Sequence, residues 1–263
     1  MKNALITGAS HGIGQAIAIE LAKNGYNVGI NYFHNLDGAK KTAKEVEKYG
    51  VKYLIIQADV SKNEDLENMF AKFEEKFKTI DVMVNNAGIS EFFPILEATE
   101  EQWKKVVFCD YKGCYFGTQF AAKLMVKNNT KGVILNISSN HTQGCWPNAT
   151  IYASSKAAVK KFGENAAMEL AEYGIRVSTL SPGYTDVEWS KDHPIFNSMD
   201  KIPLKRFATP QEIAKIAVFI CSESCSYMTG NCTVVDGGSL LPILPENTYY
   251  GDGGYENCKN WNF

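Results

Sequence analysis

Seven short runs of β-branched and other apolar residues punctuate the chain, at positions 4–7, 28–30, 53–57, 82–84, 133–137, 177–180 and 233–235. Runs of this length predict strands buried on both faces. Between them, apolar residues recur with a period near 3.6. Ile13, Ile17 and Leu21 share one helical face, and Leu66, Met69, Phe70, Phe73 and Phe77 share another. Strands alternating with helices predict a single parallel sheet whose right-handed crossovers cover both faces, an α/β doubly wound sandwich of about seven strands. No repeat, low-complexity tract or linker breaks the pattern, so residues 1–239 read as one domain.

Two segments fall outside the alternation. Residues 184–203, with His193, Pro194, Phe196 and Met199, lack strand periodicity and read as a lid. Residues 240–263 carry Tyr249, Tyr250, Tyr255, Trp261 and Phe263, too aromatic for a solvated disordered end. This extension is expected either to close a site, its own or a neighbour's, or to pack at a subunit contact.

With 263 residues, 45% hydrophobic and 21% charged, the chain has the composition of a globular protein with a large core. Its 27 basic residues against 29 acidic ones leave a net charge of −2 and no basic run, which argues against nucleic acid as a partner. No apolar stretch is long enough to span a membrane, and the first residues enter a strand pattern with no signal-peptide region. Seven scattered cysteines without a Cys-x-x-Cys pair read as free thiols in a reducing cytoplasm. The four histidines lack metal-ligand spacing, and no metal is expected.

Candidate chemistry begins after the first strand, at Thr7-Gly8-Ala9-Ser10-His11-Gly12-Ile13-Gly14, which leads into a helix near Gln15. A glycine-rich turn here lets a pyrophosphate approach the helix amino terminus, where unpaired N–H groups and the helix dipole favour negative charge. Such a turn can also need glycine for geometry alone. Asp59-Val60, Asn85-Asn86-Ala87-Gly88 and Pro182-Gly183 recur after the third, fourth and sixth strands. Those carboxyl ends are where an open α/β sheet binds ligands.

These motifs, with Ser139, Tyr152, Lys156 and Val235-Asp236-Gly237-Gly238 following in order, make the chain resemble the short-chain dehydrogenase/reductase family up to about Ser239. The resemblance implies a Rossmann-like fold, a nicotinamide cofactor, a small-molecule alcohol or ketone substrate and a homo-oligomer, commonly a tetramer. By the same analogy Gly8, Ser10, His11, Gly12, Ile13 and Gly14 line the pyrophosphate end. Asp59 and Val60 meet the adenine, and Asn86, Ala87 and Gly88 border the nicotinamide ribose. Tyr152, Lys156, Pro182, Gly183 and Thr185 complete the cofactor site, Thr185 standing in where the family tends to carry Thr at Val187. The second strand ends in Ile30-Asn31-Tyr32-Phe33-His34, with no acid to bind a 2′-hydroxyl and repel a 2′-phosphate. NADP is therefore expected over NAD, with NAD possible, and Tyr32 is counted with the cofactor site. His34 is equally readable as a surface-loop residue.

Tyr152 and Lys156 are four apart, on one face of a helix. A phenol titrates near pH 10 in water, so exchanging a proton with a substrate oxygen at neutral pH requires a nearby positive charge. Lys156 supplies it, and Ser139, thirteen residues before Tyr152, is placed to hydrogen-bond the same oxygen. Where the family has Asn-x-x-Gly, this chain reads Asp110-Tyr111-Lys112-Gly113. Asp110 is expected in the proton relay to the lysine, with an altered pH optimum. The expected substrate wall comprises Ser90, Phe92, His141, Cys145, Trp146, Tyr184, Trp189 and Phe196. Its aromatics with polar edges suit a hydroxylated ring, either a sugar or a hydroxysteroid, and the stretch from Ser138 to Pro147 resembles bacterial glucose dehydrogenases of the same family. His141 reads equally as a loop histidine bonded to backbone. The alternative from another class is a sensor or scaffold that binds cofactor without turnover.

Overall fold

The computed structural model describes residues 1–187 and 199–241. The predicted strands all form, as β1 Asn3–Ile6, β2 Asn27–Tyr32, β3 Tyr53–Gln57, β4 Val82–Asn85, β5 Val133–Ile137, β6 Arg176–Pro182 and β7 Cys232–Val235. They pair in parallel throughout, in the order β3-β2-β1-β4-β5-β6-β7. Crossing helices are α1 Gly12–Lys23, α2 Leu36–Glu47, α3 Asn63–Phe77, α4 Glu100–Val107, α5 Gly113–Lys127, α6 Thr150–Leu170 and α7 Pro210–Cys221. Most boundaries shift by a residue or two from the sequence pattern, and two of the shifts bear on the site. α1 starts at Gly12 rather than near Gln15, because Ile13 and Gly14 already turn helically. Thr7 leaves β1, and its hydroxyl instead accepts the backbone N–H groups of Asn86 and Ala87 at 2.9 and 3.0 Å.

Alternation along each strand divides the core into two layers. Ala4, Ile6, Val28, Ile30, Val82, Val84, Val133 and Leu135 face α1, α2 and α7, while Leu5, Met83, Ile134 and Val177 face α3, α5 and α6. Nearly all of these side chains are fully buried, which is why the strands read as continuous apolar runs. The strand order reverses between β1 and β4. The crevice beyond their carboxyl ends is the topological switch point at which such sheets bind ligands.

Candidate active site

One end of the crevice, the candidate nucleotide end, is built from backbone. Gly8 and Gly12 hold positive φ angles, +63° and +56°, and His11 between them is extended. A Cβ at Gly14 would lie 2.4 Å from both Gly8 O and Asn86 Nδ2, so α1 can approach the turn this closely only with glycine there. Among the described residues no side chain caps α1, so its first backbone N–H groups and its dipole face the crevice. A phosphate fits this cradle. Asn86 Nδ2 donates to Thr7 O and Gly8 O at 2.9 and 3.2 Å, so the Asn-Asn-Ala-Gly motif braces the glycine turn.

The turn is braced from the other side by residues the motifs did not single out. Gly8 N–H donates to Asn31 Oδ1 at 3.1 Å and Ala9 N–H to Asn31 O at 2.8 Å, while Asn31 Nδ2 reaches Ala58 O at 3.1 Å. An Asn buried within an apolar strand was the available signal, since such a side chain must satisfy its amide internally. Thr42 of α2 donates to Ala9 O at 2.9 Å and accepts from Gln15 Nε2 at 2.8 Å. Around this turn His11 is exposed and Ser10 buried, their Nδ1 and Oγ 3.1 Å apart. At the end of β2, Tyr32 is packed into the core, whereas Phe33 and His34 are exposed with ring centroids 3.6 Å apart. Asp37 lies in the first turn of α2, an acid near this end that lay beyond the stretch read in the sequence. Asp59 Oδ1 accepts from Ser61 N–H and hydroxyl at 3.0 and 2.7 Å, and Val60 is buried against Gly113.

The chemical end lies across β4 and β5. Ser138 Oγ donates to Lys156 O at 2.8 Å, tying the end of β5 to α6 and bringing Ser139 beside the face that carries Tyr152 and Lys156. The Lys156 Nζ is 5.6 Å from the Tyr152 ring centroid, donates to Ile137 O at 3.3 Å and sits 3.3 Å from Asp110 Oδ2. A Cβ at the exposed Gly88 would lie 3.0 Å from that Nζ, so glycine there keeps the lysine's charge close to the crevice. Burial lowers the pKa of Lys156, but the Asp110 carboxylate and the Tyr152 phenol more than reverse this and hold it above its ordinary value. Ser139 Oγ accepts from His141 N–H at 3.3 Å, and its own hydrogen is engaged only in a long 3.4 Å bond to Asn140.

His141 is sandwiched between Trp146, at 3.9 Å and 17°, and Phe92, at 5.8 Å and 11°. Both His141 and Phe92 meet Tyr152 edge-on, at 5.1 and 5.6 Å. Trp146 Nε1 donates to the Tyr184 hydroxyl at 2.9 Å, and Tyr184 stacks on Phe207 at 5.5 Å. Burial pushes the His141 pKa down to about 4, so the ring is neutral at physiological pH, and its Nδ1 has no hydrogen-bond partner among the described residues. The reading of His141 as backbone-bonded through its ring is thus not what forms. Phe207 carried no sequence signal, because only the tertiary fold brings it to Tyr184. Ser90 and Cys145 are exposed nearby. Pro182 is buried, Gly183 packs against Asp236, and Thr185 Oγ1 donates to Gly183 O at 3.1 Å. Trp189, Phe196 and the extension beyond Leu241 lie outside the described residues, as does most of the expected lid. Among the described residues no group of His, Cys, Asp and Glu is arranged to hold a metal, and no helix is long and apolar enough to cross a membrane.

A glycine cradle at the switch point and a Tyr–Lys pair beside a strand-end serine define an α/β oxidoreductase. Residues 8–239 match a family model described as enoyl-(acyl carrier protein) reductase. Glucose 1-dehydrogenase 2 of Bacillus subtilis is 39% identical over 246 residues, covering 91% of this chain and 95% of that relative. The 3-oxoacyl-(acyl-carrier-protein) reductase of Staphylococcus epidermidis is 35% identical over 91% of this chain and 99% of its own. Among solved structures, the acetoin dehydrogenase of Salmonella typhimurium superposes with a TM-score of 0.83 at 33% identity, covering 92% of this chain and 98% of that one. The chain belongs to the short-chain dehydrogenase/reductase family, whose members act on CH–OH groups and their ketones with nicotinamide cofactors.

Proposed function

We propose that the protein interconverts a secondary alcohol and a ketone on a neutral, ring-bearing substrate such as a sugar or hydroxysteroid, with NADP preferred. The observation that carries this reading is the aromatic stack Phe92–His141–Trp146, set edge-on to Tyr152 and continued by Tyr184. It offers flat apolar surface with polar rims and no fixed charge, since His141 is neutral. The 39% identical relative named as a glucose dehydrogenase supports the sugar branch. The absence of an acid between Asn31 and His34 supports NADP, with Asp37 of α2 the residue that would pull toward NAD.

When bound, the nicotinamide cofactor supplies or accepts the hydride. The α1 terminus and the Gly8–Gly14 turn would hold its phosphates, and Gly88, lacking a side chain, would leave space for the cofactor next to Lys156. In the reducing direction Tyr152 donates its phenolic proton to the carbonyl oxygen as that oxygen gains charge. Lys156, held charged, stabilises the phenolate left behind. Ser139 rotates its weakly engaged hydroxyl onto the same oxygen and fixes its direction. In the oxidising direction the Tyr152 phenolate removes the hydroxyl proton.

Exposed Trp103, Tyr115 and Met168 on α4, α5 and α6 supply apolar surface for assembly into a homo-oligomer, a tetramer by family resemblance. Near-ultraviolet nicotinamide absorbance, followed with NADP and NAD over simple alkanols, sugars and hydroxysteroids, tests the reading. Turnover of a cyclic polyol or steroid with NADP is the expected result. Turnover confined to acyclic ketones or acyl thioesters would overturn the substrate assignment.

A further inference from the structure

Asp110 is a buried acid beside the catalytic candidates. Its side chain is fully buried and belongs to a five-residue π-helical turn, Phe108–Lys112, inserted between α4 and α5. Such bulges aim side chains that a regular helix would direct elsewhere, and they recur at functional sites. One carboxylate oxygen accepts the Ile89 N–H at 2.7 Å, and the other sits 3.3 Å from Lys156 Nζ without further hydrogen-bond partners. Both oxygens also border Gly88, at 3.4 and 3.5 Å from where its Cβ would stand.

From this geometry we propose that Asp110 is a charged positioning residue: it clamps Lys156 under Gly88, cancels part of the lysine's field at Tyr152, and anchors the 89–93 loop that brings Phe92 to the substrate wall. The inference rests on the acid/base role given to Tyr152 above. Burial pushes the pKa of Asp110 up, and the Lys156 ammonium and the Ile89 N–H pull against that shift; of the other titratable groups around the pair, none supplies a competing counter-charge to the lysine. Cys109 on the same turn and Cys114 on α5 are both pushed by burial to a pKa of about 12 and remain neutral thiols. Asp59, after β3, acts on Cys109 and is already occupied by Ser61 and Lys62. Facing the lysine from α6 is Tyr152 itself, and β5 presents only the Ile137 carbonyl.

A buried Asp–Lys pair is neutral as a unit, so the next proton must leave the site against a negative charge that an amide would not carry. Whichever of Tyr152 and Lys156 formally loses that proton, the apparent pKa of the coupled site falls when Asp110 becomes neutral. Two consequences separate charge from structure. Asp110→Asn keeps an oxygen for the Ile89 N–H, so KM for the alcohol stays unchanged while the rising limb of kcat/KM moves to lower pH by about one unit. Asp110→Ala loses both contacts, so KM also rises, by about tenfold.

The experiment is the pH profile of kcat/KM for alcohol oxidation in the wild type, Asp110→Asn and Tyr152→Phe, with cofactor affinity measured in each by fluorescence. An acid shift in Asp110→Asn at unchanged KM supports the proposal. A profile that is unmoved, or moved to alkaline pH, overturns it. Should Asp110→Asn fail to fold, infrared spectra of the wild-type enzyme decide: an ionised carboxylate leaves no buried protonated-carboxyl band between about pH 6 and 8, and the presence of one overturns the proposal. If Tyr152→Phe retains turnover, the functional reading itself falls; if it is inactive and the Asp110→Asn limb stays in place, only this inference does.

Discussion

The two ends of the crevice are built from different materials. The nucleotide end is made of backbone: glycine φ angles, an uncapped helix terminus, and amides braced by Thr7, Asn31, Thr42 and Asn86. The chemical end is made of side chains gathered from positions 92 to 207, stacked ring on ring beside a buried ion pair. A backbone cradle recognises what every phosphate shares, whereas a wall of side chains can be rewritten residue by residue. In the proposed function the first therefore serves the common cofactor and the second carries substrate choice. Lesions at the two ends should separate in their readouts.

Lys156 should produce the largest effect, because the proposed reaction and the buried core both depend on it. Lys156→Met leaves the Asp110 carboxylate buried without its counter-ion, a loss of about 3–5 kcal/mol in chemical unfolding, and removes turnover by at least about a hundredfold. Gly14→Ala comes next. Its Cβ would press on Gly8 O and Asn86 Nδ2, and we expect about 1–3 kcal/mol of destabilisation with a cofactor Kd raised about tenfold or more, measured by fluorescence. Once cofactor saturates, the alcohol KM of this variant should be near that of the wild type; a selective change in alcohol KM would erase the distinction between the ends.

Trp146→Ala should do the reverse. It opens the ring stack and frees Tyr184, raising the substrate KM about tenfold in initial-rate assays while cofactor Kd stays put. The smallest effect concerns His141. Its folded pKa, about 4, lies below the ordinary histidine value of 6.5, so between those limits the unfolded chain binds the extra proton and stability rises with pH. The contribution is fully present above about pH 6.5 and is lost as pH falls toward 4. In thermal melts, His141→Phe should narrow the fall in Tm over this window by about 2–4 °C, the ring being partly screened by solvent.

The same contrast governs what is legible in the sequence. Seven buried strands were legible because parallel strands covered on both faces read as unbroken apolar runs, and the glycine turn because its geometry admits few other residues. The proximity of Tyr152 and Lys156 followed from helical spacing, and Asp110 stood out against the family pattern. The π-helical turn that aims Asp110 at Lys156 was not legible, since it is one extra residue in the ladder of an otherwise ordinary helix. Nor was the bracing by Asn31 and Thr42, or the stacking of Phe207 on Tyr184; these contacts cross strands and helices far apart in sequence. The interleaving of His141 between Phe92 and Trp146 likewise depends on how two loops meet.

Tyr152→Phe puts the division of labour to its most direct test, because it removes one oxygen at the chemical end and touches nothing at the nucleotide end. Measured on a substrate of the wild-type enzyme, turnover should fall by at least about a hundredfold while the fluorescence-determined NADPH affinity changes by less than about twofold. Retained turnover, or a loss of cofactor binding that accounts for the lost rate, would contradict the account.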